Sequence, residues 1–174
     1  TTGKPIANTY GALDVYSGTL QIDSAWFTTD ASGVYTATFG SPIDQDVALR
    51  YRIAAYATQF YDRKPLLGQA TLVPLKSGPS TLTTRLLPRY TLVNTLLDDA
   101  AGQPITNTSG LLSAYIGTTV VESHWFSTDA SGVYTTTFDV PLNQDVQLEY
   151  SRVAGHARQF YDRAFTLAQA TPLA

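Results

Sequence analysis

The chain has 174 residues, of which 14% are charged, and a formal net charge of −3. This balance provides no basic field for nucleic acid or an anionic membrane, and no apolar run approaches the roughly 18 residues a membrane span needs. Cysteine is absent, which excludes disulfides, thiolate catalysis and zinc–thiolate sites; methionine is absent too.

Lysine occurs only at positions 4, 64 and 76, whereas Thr and Tyr are abundant. That is the usual composition of strands with one solvated face, and it fits an extracellular β-protein better than a cytosolic enzyme. The opening Thr1-Thr2-Gly3-Lys4-Pro5 is not a signal peptide, so any targeting sequence was removed or lies outside these residues.

Alternation dominates over helical periodicity. Strands are expected near residues 12–16, 20–29, 34–39, 46–53 and 69–75, separated by Gly, Pro, Asp and Ser. In Asp46-Val47-Ala48-Leu49-Arg50-Tyr51-Arg52, the apolar Val47, Leu49 and Tyr51 share one face, while Ala48, Arg50 and Arg52 share the other. Asp30-Ala31-Ser32-Gly33 reads as a hairpin turn, because Asp bonds its own backbone and Gly supplies positive φ. A calcium loop is the competing reading, but one carboxylate is too few for it. The segment from Gln59 to Leu67 has room for one turn of helix.

The stretch Trp26-Phe27-Thr28-Thr29-Asp30-Ala31-Ser32-Gly33-Val34-Tyr35 then returns as Trp125-Phe126-Ser127-Thr128-Asp129-Ala130-Ser131-Gly132-Val133-Tyr134, 99 residues later. The offset holds from Gly3/Gly102 to Tyr51/Tyr150 and becomes 100 after one extra residue near Ser151. A period of this length suits a complete small β-domain. The chain therefore divides into residues 1–87 and 88–174, two tandem all-β antiparallel sandwich repeats.

Between them, residues 81–87 read as a last strand of the first repeat and residues 90–97 as the first strand of the second, with a break at Pro88 and no Gly/Ser spacer. Residues 100–105 match residues 1–6, so the strand at 90–97 has no counterpart before Thr1, and the one at 81–87 has none after Ala174. The expectation is that the first repeat lacks an opening strand and the second a closing one. Exposed edges would then be filled by neighbouring repeats or other copies through strand addition.

Gly-x-Pro-Ile, Thr-Asp-Ala-Ser-Gly-Val-Tyr, Gln-Phe-Tyr-Asp-Arg and Ala-Thr-x-x-Pro recur in the chain. These motifs resemble the carboxypeptidase regulatory-like and Cna B-type family of bacterial surface and secreted proteins. The resemblance implies prealbumin-like, seven-stranded β-sandwiches acting as stalk, spacer or accessory modules, sometimes in adhesins and pilins and sometimes beside enzymes. Some members form a Lys–Asn isopeptide bond. Lys4 is near the corresponding place, but its twin is Gln103 and the second repeat has no lysine, so the bond is not expected.

No catalytic residue, cofactor or metal site is expected. His124 and His156 have no histidine twins, and Asp46/Asp145 and Asp62/Asp162, although duplicated, read as turn and strand-edge acids. No phosphate loop, nucleophile elbow or His-x-x-x-His pair occurs. Trp26 and Phe27 must lie on opposite faces of a strand, one of them in the core. Contact with a ligand, if any, is expected at Tyr61, Asp62 and Arg63 and at Tyr161, Asp162 and Arg163, where an aromatic, an acid and a base share a loop. A glycan is the partner class those loops suit.

The leading expectation is a non-enzymatic stalk or fibre subunit of an extracellular or cell-surface protein. A carbohydrate-binding or accessory domain of a secreted enzyme or adhesin is the alternative.

Overall fold

A computed structural model describes residues 3–98 and 100–173. It is all-β, its sheets are antiparallel, and its only helical pieces among the described residues are single 3₁₀ turns. The chain separates into two compact units, one reaching to Arg89 and including Asp139–Pro141, the other formed by Tyr90–Phe138 and the residues from Leu142 onward.

In unit one, β1 (Tyr10–Ser17) and β2 (Leu20–Thr28) form a hairpin whose turn has Gly18 at φ 56°, a conformation that favours glycine. β3 (Gln45–Ile53) pairs with the other side of β1, and β4 (Gln59–Phe60) and β5 (Val73–Leu75) pair with β3. Leu13, Val15, Phe27, Val47, Leu49 and Tyr51 form the core.

Unit two opens with β6 (Tyr90–Thr95) and repeats the hairpin as β7 (Ser109–Ile116) and β8 (Thr119–Ser127). It continues through β9 (Val133–Phe138), β10 (Gln147–Ser151) and β11 (Gln159–Phe160). The order of its larger sheet is β11-β10-β7-β8, and β6 pairs with β9 separately. Leu112, Ala114, Phe126, Val146, Leu148 and Tyr150 form this second core. Each stands 99 residues after its partner in the first, so the duplicated alternation builds the same interior twice.

The turns duplicate as well. Asp30 Oδ1 accepts the backbone N–H groups of Ser32 and Val34 at 2.8 and 2.9 Å, and Asp129 Oδ1 those of Ser131 and Val133 at 2.7 and 3.0 Å. These carboxylate oxygens already serve the turn, as the sequence suggests, and Gly33 and Gly132 hold the required positive φ of 78° and 75°.

Three predicted strands differ, those near 69–75, 34–39 and 81–87. The segment near 69–75 is a strand only over Val73–Leu75, because Leu67–Gln69 takes a 3₁₀ turn first. The helical turn expected within 59–67 is present, as a 3₁₀ turn at Tyr61–Arg63. Residues 34–39 form no ladder, although Val133–Phe138, nearly identical in sequence, forms a six-pair ladder with β6.

The physical reason is the partner. Thr91-Leu92-Val93-Asn94-Thr95-Leu96-Leu97 has an echo ten residues earlier, Thr81-Leu82-Thr83-Thr84-Arg85-Leu86-Leu87. In unit two, Leu92 and Leu96 pack on the core and Asn94 Nδ2 donates to Tyr150 Oη at 3.1 Å. In unit one, Leu82 and Leu86 pack on the core and Thr84 Oγ1 donates to Tyr51 Oη at 3.0 Å. Residues 81–87 thus reproduce the side-chain anchors of β6 but make no backbone ladder. This corrects the expected strand at 81–87.

Candidate functional site

The Gln59–Arg63 loop follows from backbone geometry. Phe60 and Lys64 exchange backbone hydrogen bonds at 2.8 and 3.3 Å, which throws Tyr61, Asp62 and Arg63 out as a bulge. Asp62 and Arg63 both adopt left-handed φ, 61° and 62°, and their twins Asp162 and Arg163 do the same at 61° and 64°. Such conformations cost non-glycine residues of the order of 1 kcal/mol each, and here they occur in both copies.

Asp62 Oδ2 accepts from Thr71 Oγ1 at 3.4 Å, and Asp162 Oδ2 from Thr171 Oγ1 at 3.1 Å. These carboxylates tie the bulge to the segment that follows. In unit one, Tyr61, Asp62, Arg63, Thr83 and Arg85 line an open cleft of about 230 Å³. Tyr61 leans on the first core, whereas Tyr161 is 38% exposed.

Gln59 was not singled out by sequence, yet it is fully buried and clamps the end of the 81–87 segment. Its Nε2 donates to the carbonyls of Ala57 and Leu87 at 2.8 and 3.1 Å, and its Oε1 accepts from Leu87 N–H at 3.1 Å. Gln59→Ala should strand backbone groups and cost about 2–3 kcal/mol. Hydrogen exchange at residues 81–87 should quicken first. Unchanged exchange there would contradict the clamp.

The outer face of the first sheet carries a second cluster. Asp14, with no exposed side-chain surface, accepts from Arg50 Nε at 2.9 Å, Arg52 Nε and Nη2 at 2.9 Å each, and Ser24 Oγ at 2.8 Å. Burial pushes its carboxyl pKa up, but the bonds from Arg52, Ser24 and Arg50 outweigh that and pull it down to about 2. In unit two Ser113 stands where Asp14 does, and the buried acid moves to Glu149, at the position of Arg50. Glu149 accepts from Tyr115 Oη at 2.7 Å and pairs with Arg158. The face keeps a buried carboxylate while exchanging which strand supplies it.

Phe27 is the core member of its pair, 4% exposed, and Trp26 is the outward one, 61% exposed; Trp125 is likewise 64% exposed. His124 pairs with Glu122 and sets its ring edge-on to Phe138, and His156 Nδ1 lies 3.8 Å from Asp98. Among the described residues, no group of three or more His, Asp or Glu stands close enough to hold a metal. Lys4 is exposed at the surface.

Compared with protein-family models, curated proteins and solved structures, the chain matches none.

Proposed function

We propose that the chain is a non-catalytic structural module of a bacterial extracellular or cell-surface protein, its two repeats serving as prealbumin-like β-sandwiches in a stalk or fibre. The motif resemblance to carboxypeptidase regulatory-like and Cna B-type modules supports this reading. So does the use to which the duplicated polar residues are put: Asp30/Asp129 hold turns, and Asp62/Asp162 tie loops.

The observation that carries the fibre form is the pairing difference between twins. Val133–Phe138 takes a full ladder from β6, while residues 34–39 have none among the described residues. An edge whose N–H and C=O groups lack a ladder is a template for another strand. A strand from a second copy competes there with residues 81–87, which contribute leucines but no ladder.

Sedimentation velocity across a range of concentrations tests this. The wild-type chain should associate as concentration rises. Successive N–H groups point to opposite edges, so one of Thr36→Pro and Ala37→Pro must remove a donor on the open side and block association. A chain that stays monomeric at every concentration removes the fibre form and leaves the stalk.

A further inference from the structure

On the outer face of unit one, Tyr10 stacks on Trp26 with ring centroids 5.1 Å apart and planes within 3°. The guanidinium of Arg52 lies 5.6 Å from the same Trp ring and is bonded to Asp14. The tryptophan in this unit is therefore furnished with a flat partner, and its arginine with an anion.

Unit two keeps the tryptophan and the arginine but drops both partners. Arg152 lies over Trp125 at 5.6 Å, the same distance as in unit one. That match survives the one-residue insertion near Ser151, and Arg152 adopts a left-handed φ of 59°. The position of Tyr10 is taken by Ser109 and that of Asp14 by Ser113. Trp125 is 64% exposed, and among the described residues Arg152 makes no ion pair with a carboxylate. Where the tyrosine ring would stand there is a hydroxyl pair, Ser109 Oγ to Ser127 Oγ at 2.8 Å.

We propose that the Trp125–Arg152–Ser109 surface of unit two binds an acidic pyranose, a hexuronate unit of a glycan. Trp125 offers a ring face of the kind that takes the C–H face of a sugar, at the place where unit one stacks its own Tyr10. Arg152 provides the planar fork that pairs with a carboxylate, the charge its twin already satisfies internally. Ser109 and Ser127 can both donate to and accept from sugar hydroxyls. The choice of an acidic over a neutral sugar rests on the unpaired guanidinium.

The site is separate from the Tyr61 and Tyr161 loops, and it does not depend on whether copies associate through residues 34–39. A calorimetric or NMR titration of the whole chain with tetragalacturonate, beside neutral maltotetraose, tests it. One tetragalacturonate site per chain is expected, with at least about tenfold preference over maltotetraose. Trp125→Ala should weaken binding about tenfold or more. Ser109→Tyr, which installs the residue unit one already tolerates, should block the ring face with the fold intact by circular dichroism. Arg152→Gln should abolish the acidic preference. No binding, or binding that survives both Trp125→Ala and Ser109→Tyr, overturns the site. Equal affinity for the two sugars overturns its acidic character.

Discussion

Leu112→Ala should destabilise unit two by about 3–4 kcal/mol while leaving unit one folded. Leu112 has no exposed surface and sits in the second core. Truncation removes its transfer free energy and leaves a cavity that a sheet held by its ladders closes only in part. For a unit of this size, such a loss lowers the midpoint of thermal unfolding by more than about 10 °C. The twin substitution, Leu13→Ala in unit one, should do the reverse. Site-resolved hydrogen exchange separates the two: Leu112→Ala should deprotect β7 and β10 and spare β1 and β3. A loss below about 1 kcal/mol, or equal loosening of both cores, would contradict two self-contained interiors.

Asp14→Ala should cost unit one about 2–3 kcal/mol at neutral pH, because Arg50 and Arg52 would be left together on one face without their anion. Both guanidinium groups are partly solvated, which keeps the cost below that of a fully buried pair. The same carboxylate gives unit one an acid sensitivity. Its pKa falls on folding from 3.8 to about 2, so its contribution is complete above the higher value and is lost as pH falls towards the lower. That contribution is about 1–2 kcal/mol once solvent screening of the arginines is allowed for. Urea unfolding of unit one, followed at neutral pH and at about pH 3, should show this loss in the wild type and not in Asp14→Asn. An Asp14→Asn chain with an undiminished acid response would assign the sensitivity to other acids.

Much of the fold was legible residue by residue. The alternation of Val47, Leu49 and Tyr51 marked the inward face of β3, and the 99-residue offset carried that face to Val146, Leu148 and Tyr150. Asp30 and Gly33 announced their turn because both act locally. Residues 34–39 could not be read in the same way. Their side chains suit a strand, but a ladder depends on a partner distant in sequence, and near-identical residues end up paired in one unit and unpaired in the other. The sequence signal for that difference is the ten-residue echo between 81–87 and 91–97.

The site was less legible. Alternation placed Trp26 and Phe27 on opposite faces without saying which faced out, since both are large and apolar. It placed Arg50 and Arg52 outward, but their shared partner Asp14 depends on the register of β1 against β3, where Asp14 stands opposite Arg50. The loops at Tyr61–Arg63 and Tyr161–Arg163 drew notice for their chemistry. Their left-handed Asp and Arg pairs carried no sequence mark, because neither position is glycine.

Hydrogen exchange at residues 34–39, measured against Val133–Phe138 over a range of protein concentrations, decides whether that edge is open and takes up a strand. Exchange at Val133–Phe138, which β6 protects, should be slow and independent of concentration. At residues 34–39 exchange should be fast in dilute solution and should slow as copies associate and a strand occupies the edge. Equal protection of the two segments in dilute solution, or fast exchange at 34–39 that concentration never slows, would contradict an open edge that receives a strand from a second copy.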